Sequence, residues 1–203
     1  MAKEIENNDQ DYKIWFPYEI FYIESMLTVA RTAMDAQTQL QMIIEELEKG
    51  KPNTKEDTDD VIDLVQTILI GAASLSRYFW AVRSGIIHQK RAERLREAFA
   101  ITEENPLKNR DVRNFMEHFD EKLDIFLSQN VAGTFIPSSV GRRTNDDQGT
   151  YHFFRAFHTD DWTFEVLKVE VKIIPIIAEI IRIFLLLMKF RDEGGRLPRS
   201  INE

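Results

Sequence analysis

The chain has no cysteine in its 203 residues. That excludes disulfides, thiolate metal sites and a cysteine nucleophile. Histidine is scarce, with only His88, His118, His152 and His158. No Glu-x-x-His occurs, so the paired motif that di-iron helical bundles require is missing. There is no phosphate-cradling Gly-rich loop, no Gly-x-Ser-x-Gly and no dinucleotide fingerprint. No internal repeat or useful coiled-coil heptad is present. No metal and no cofactor are expected. Positive charge is in deficit, with 26 Lys and Arg against 34 Asp and Glu and a net charge of −8. Such a chain is a poor non-specific binder of nucleic acid, because phosphate contacts are made by Lys and Arg. The most apolar run, Ile173 to Met188, contains Glu179 and Arg182 and lies between Lys172 and Lys189. It falls short of the roughly 20 apolar residues of a membrane span, so it reads as a core helix. Met1 to Tyr12 is polar and acidic, unlike a signal peptide. A cytoplasmic protein with no membrane contact is the expectation.

Helical periodicity dominates the remainder. Residues 13–49 form one long helical pattern, with Ile20, Ile23, Leu27, Ala30, Met34, Leu40 and Ile44 recurring near 3.6. Pro17 suits its first turn and Gly50 ends it. Trp15, Phe16, Tyr18, Phe21 and Tyr22 crowd its start and are assigned to the core. Thr54 to Asp60 is a polar linker with capping residues. A second helix spans about 59–86, weakened at Gly71 and Gly85. A short basic helix covers about 88–100. Asn105-Pro106 marks an N-cap and first helical position, and the pattern then runs to about Gln129. Gly133 to Gly149 has loop composition. Thr150–Phe157 and Trp162–Val166 read as two short strands, and 167–191 as a last helix kinked at Pro175. The predicted fold is mainly α: an antiparallel bundle of four long helices plus one short. A small β-hairpin insertion precedes the C-terminal helix. It is one domain over 1–203, with 131–166 inserted.

Charge is uneven along this scaffold. Glu45, Glu46, Glu48, Glu56, Asp57, Asp59 and Asp60 cluster early. Arg83, Lys90, Arg91, Arg94 and Arg96 follow, with Glu93 among them. Either these are solvated helix faces or they form a local basic surface. Arg142 and Arg143 in the predicted loop are further candidates for phosphate contact. His152 and His158, with Asp160 and Asp161, lack a regular metal-ligand spacing and read as surface hairpin residues.

One segment combines the residue types for acid–base work on a phosphodiester. Arg113-Asn114-Phe115-Met116-Glu117-His118 lies in the predicted helix 106–129. Asn114 and His118 are four apart and share a face beside the apolar stripe Val112, Phe115, Met116, Phe119, Leu123, Phe126 and Leu127. Histidine titrates near neutrality, and arginine offers permanently charged, planar donors that match phosphate. Together they could cleave RNA at its own 2′-hydroxyl without metal. The competing reading pairs Arg113 with Glu117 and makes His118 a satisfied structural histidine.

Arg113, Asn114 and His118, in their setting from Pro106 to Glu121, resemble the Arg-polar-x3-His motif of the HEPN superfamily. The resemblance covers about 13–130 and 167–191. It implies a metal-independent endoribonuclease or RNA-binding protein of a toxin–antitoxin or phage-defence system, active as a homodimer. Arg113, Asn114 and His118 would be catalytic, and an antitoxin or other protein would be a partner. Arg83, Lys90, Arg91, Arg94, Arg142 and Arg143 would be the candidate RNA-binding set. Asp120 stands where many toxin members carry tyrosine, and a carboxylate there opposes RNA binding. The alternative is a non-catalytic helical interaction module with a structural His118.

Overall fold

The computed structural model describes residues 14–109, 119–129, 132–143 and 151–199. A 3-10 turn at Phe16–Tyr18 leads into α1 (Glu19–Glu48). Then come α2 (Lys55–Phe79), α3 (Ile86–Ala98), a 3-10 turn at Pro106–Lys108 and α4 (Phe119–Gln129). The strands β1 (Thr134–Gly141), β2 (Tyr151–His158), β3 (Thr163–Val166) and β4 (Val169–Lys172) follow, and α5 (Ile173–Asp192) closes the order.

Helices α1 and α2 are antiparallel, since Ser25 meets Tyr78 while Ala33 meets Gly71. The six residues 49–54 suffice to join such neighbours. α1 presents Ala30, Ala33 and Ala36 to the core, small side chains that let the helices approach closely. A Cβ added at Gly71 would lie 2.8 Å from the Ala33 Cβ, so this glycine serves the crossing. α5 lies on another side of α1, also antiparallel, with Gly195 against Ile20 and Leu197 N–H donating to the Glu19 carboxylate at 3.1 Å. The rings of Phe79, Phe99 and Phe190 meet edge-on and tie α2, the end of α3 and α5 together.

The boundaries differ from the sequence reading for identifiable reasons. α2 starts at Lys55, not near 59, because Thr54 and Asp57 form a capping box. It ends at Phe79, not near 86. Trp80 is extended, and α3 folds back so that Arg91 and Arg96 donate to the carbonyls of Arg77 (2.9 Å) and Phe79 (2.5 Å). Cationic donors satisfy a helix C-terminus both as hydrogen bonds and against its dipole. The Asn105 cap opens only a 3-10 turn, ending at Asn109, so the helix does not begin at Pro106. α5 begins at Ile173, not 167. Pro175 thus sits in its first turn, where a missing N–H costs nothing and no kink is required.

The mainly α expectation with a small hairpin insertion is corrected. The helices share their core with a four-stranded mixed sheet of order β1-β2-β3-β4. β1 occupies part of what reads as the Gly133–Gly149 loop and pairs parallel with β2, Thr134 opposite Tyr151 and Gly141 opposite His158. Its Pro137 is tolerable because β1 is an edge strand. Nine residues, 142–150, separate the two strands, fewer than the dozen or more usual for a parallel crossover. β3 and β4 form a hairpin through Leu167 and Lys168, at φ +47° and +69°. Two positive φ values are the pattern of a type I′ turn, normally signalled by Asn-Gly. Here buried Leu167 anchors the turn in the core. The sheet packs on α2, joined by Arg155 to Gln66 at 3.0 Å and Asn53 to the Val140 carbonyl at 3.0 Å.

Ile173, Ile176, Ile177, Ile180, Ile183 and Leu187 are buried in this core. Among the described residues no helix is long and apolar enough to cross a membrane.

Gly71→Ala tests the helix crossing. Helix propensity alone favours alanine by about 1 kcal/mol, whereas overpacking costs about 1–3 kcal/mol. The expected outcome in urea denaturation is a net loss of stability, most of it recovered by adding Ala33→Gly. A stabilised Gly71→Ala protein would contradict the close approach.

Candidate functional site

Arg113, Asn114 and His118 lie outside the described residues, as do Val112, Phe115 and Met116 of the stripe. The chain entering this segment is firmly held. The Asn105 carboxamide oxygen accepts from Leu107 N–H at 3.0 Å, and its nitrogen donates to Glu179 at 2.6 Å. Glu179 takes two donors from Arg182, whose remaining arm reaches the Phe99 carbonyl at 2.8 Å. Beyond the segment, α4 lays Phe126 into the core and leaves Ile125 and Leu127 exposed. Leu127 was expected in the stripe. Only the Phe126 side of this turn of α4 meets the core, so the face that packs is narrower than the apolar stripe.

The six candidate RNA-binding residues do not form one patch. Arg142 and Arg143 follow β1, whose end is tied to Asn53 just before α2. Arg83 and Arg91 sit beyond the other end of α2, whose 25 residues span about 36 Å. Several of the charges are already engaged. Lys90 pairs with Glu93 at 3.3 Å, and Arg94 with Glu97 at 3.5 Å and with the Pro198 carbonyl. Arg143 pairs with Glu170 at 2.7 Å. Exposed Arg142 borders a hollow of about 560 Å³ between Glu48, Lys51, Asn53 and Thr159. Its charges are mixed, and Lys51 there is bound to Glu46 and Asp57 at 3.1 Å each.

The corner between α2 and α3 differs. Arg77 from the last turn of α2, Arg83 from the connection, and His88 and Arg91 from α3 surround a hollow of about 220 Å³. An adjoining hollow of about 300 Å³ is walled by Val29, Ser74, Arg77, Tyr78 and Arg91. The Arg91 Nε is buried and has no hydrogen-bond partner among the described residues. Arg77, Tyr78 and His88 were not in the predicted set. Nothing in their local spacing shows that the α3 fold-back would bring them to Arg83 and Arg91.

A row of aromatic rings leads to this corner. Trp15, Tyr18 and Phe21, expected in the core, are 61%, 52% and 68% exposed. Trp15 and Tyr18 meet edge-on at 4.9 Å, and Tyr18 and Phe21 lie 6.3 Å apart. Phe21, Ser25 and Val29 follow at four-residue steps and share one face of α1. Ser25 bonds the Tyr78 hydroxyl at 2.5 Å, and Val29 lines the basic corner. The tail after α5 lies against Glu19 and Ile20 and places Arg196 over the Phe16 ring at 3.4 Å.

The remaining described histidines depart from the surface reading. His152 and His158 are 6% and 7% exposed. His158 Nε2 lies 2.9 Å from the Glu165 carboxylate, and His152 Nε2 lies 2.7 Å from the Ala132 carbonyl. Among the described residues no group of three or more His, Asp or Glu could hold a metal. Comparison with family models, curated proteins and solved structures finds no match.

At the β2–β3 turn, hydrogen bonds from Lys172 and Thr163 lower the Asp161 carboxyl to about 2, with Lys172 and Arg143 charge adding to the effect. A depressed folded-state value stabilises the fold above the ordinary value of 3.8, and this is lost as pH falls through about 2. Urea denaturation of Asp161→Asn should therefore show its full deficit from about pH 4.5 upward, shrinking as the pH falls towards 2. A deficit independent of pH would refute this bonding.

Proposed function

We propose that this protein is a HEPN-like, RNA-directed protein that acts on single-stranded RNA as a homodimer. The observation that carries the RNA contact is the basic corner of Arg77, Arg83, His88 and Arg91. It stands at the end of the exposed Trp15–Tyr18–Phe21 row that leads into α1. Single-stranded nucleic acid is held by cations along its backbone and by aromatic rings under its bases. Both are offered here on adjoining faces. With a net charge of −8, the attraction has to be local. Cleavage is assigned to the motif. His118 serves as acid–base group, Arg113 stabilises charge on the phosphate, and Asn114 orients either one. An antitoxin-like protein is the accompanying partner proposal.

The test is labelled single-stranded RNA in low salt with EDTA, with light scattering on the same samples. Wild type should bind as a dimer and cleave. His118→Ala and Arg113→Ala should bind but lose roughly 10²-fold or more in rate. Arg83→Ala should weaken binding and flatten its salt dependence by about one phosphate contact. No RNA binding by wild type, or cleavage that needs added divalent metal, sinks the proposal. Unfolding of His118→Ala would favour the non-catalytic interaction module.

A further inference from the structure

A hollow of about 560 Å³ lies between the end of α1, the connection to α2, the end of β1 and the turn after β2. That is within the usual size of small-ligand pockets, about 300–1,000 Å³. Its base is apolar: Ile44 is buried, and Leu47 and Val140 are half-buried. Its rim carries Glu48, Lys51 and Arg142, all exposed, with the half-buried Thr159. The walls are held in place. Asn53 donates to the Val140 carbonyl at 3.0 Å and accepts from the Thr58 hydroxyl at 3.2 Å. Thr159 N–H donates to the Gly141 carbonyl at 2.9 Å.

The rim charges are not equally committed. Lys51 is already held by Glu46 and Asp57. The N-terminus of α2 is closed by its Thr54–Asp57 box. Glu48 and Arg142 come from different walls and form no ion pair among the described residues, with each other or with any other group. Their charged ends therefore stand more than 4.0 Å apart. Glu48 is the last residue of α1, where the helix dipole disfavours a carboxylate and favours a cation. The adjacent Lys49 leans to Glu45 instead. The hollow thus offers an uncompensated anion and an uncompensated cation, set apart over an apolar base.

We propose that this hollow binds a short apolar peptide by its two ends, the N-terminal ammonium at Glu48 and the C-terminal carboxylate at Arg142. The ammonium is drawn both by the Glu48 carboxylate and by the negative end of α1. The planar guanidinium matches a carboxylate. An apolar side chain covers Ile44, Leu47 and Val140, and the Thr159 hydroxyl is the remaining polar group for the peptide unit. The volume sets the length. A single amino acid fills such a space only in part, whereas a dipeptide or tripeptide spans about 7–10 Å. Nothing in this site depends on the RNA reading.

The experiment titrates the full chain, 15N-labelled, with the dipeptide Leu-Leu. Backbone amide shifts should centre on Val140, Gly141, Arg142 and Thr159. N-acetyl-Leu-Leu, which lacks the ammonium, and Leu-Leu-amide, which lacks the carboxylate, should each bind about 3–5-fold more weakly, the worth of one exposed ion pair. Glu48→Gln should remove only the preference over the acetylated peptide, and Arg142→Ala only the preference over the amide. Free leucine should bind more weakly than Leu-Leu. If either variant does not fold, the wild-type affinities and shifts decide alone. The proposal is overturned by no binding of Leu-Leu at millimolar concentration, by shifts centred elsewhere, by affinity indifferent to capping either end, by variant effects on the wrong terminus, or by leucine binding as tightly as Leu-Leu.

Discussion

The approach of α1 to α2 at Ala33 and Gly71 is the constraint on which the rest depends. A glycine in a helix interior costs about 1 kcal/mol relative to alanine, and here that cost lets two long helices touch nearly backbone to backbone. α2 then serves as the frame for everything else. The sheet is fixed to it through Gln66 and the preceding Asn53, and α3 is fixed to its C-terminus through the Arg77 and Phe79 carbonyls. α1 contributes another side to α5. A shift at the crossing would be felt at the basic corner and at the sheet together, because both are referenced to the same helix.

Much of the basic charge in this acidic chain is structural. Arg91 and Arg96 close the end of α2, Arg182 joins Glu179 to the Phe99 carbonyl, and Arg155 bridges sheet to helix. A guanidinium can do this because its five donors reach several acceptors at once. Arg91 caps α2 with one arm, while its buried Nε has no hydrogen-bond partner among the described residues. Local anion attraction can therefore coexist with a net charge of −8, because the acidic residues crowd the far end of α1 and the start of α2.

The helical part was legible because its signals are local. The 3.6-residue spacing of Ile23, Leu27 and Ala30, the Gly50 stop and the apolar run of α5 each reflect contacts within a few turns. Capping residues are visible between Thr54 and Asp60, but the box that starts α2 at Lys55 is formed by the Thr54–Asp57 pair that the structure shows. The sheet was not legible. β1 carries Pro137, Ser138, Ser139 and Gly141, a loop composition that becomes a strand because β2 supplies its hydrogen bonds. The β3–β4 turn is Leu167-Lys168, without the Asn-Gly that marks such turns. Its positive φ values are held by the burial of Leu167, not by local preference.

Composition and order along the chain sufficed for the absence of thiol chemistry, the amphipathic helices, the acidic net charge and the Arg113–His118 motif. Each follows from residue identity and short-range geometry. Tertiary structure alone decided which charges meet. It separated Arg142 and Arg143 from Arg83 by the length of α2, brought Arg77 and His88 to Arg91, and turned Trp15, Tyr18 and Phe21 outward. It also buried His152 and His158. Such groupings depend on how whole elements dock, and docking is fixed by close packing between segments distant in sequence, which no local spacing encodes.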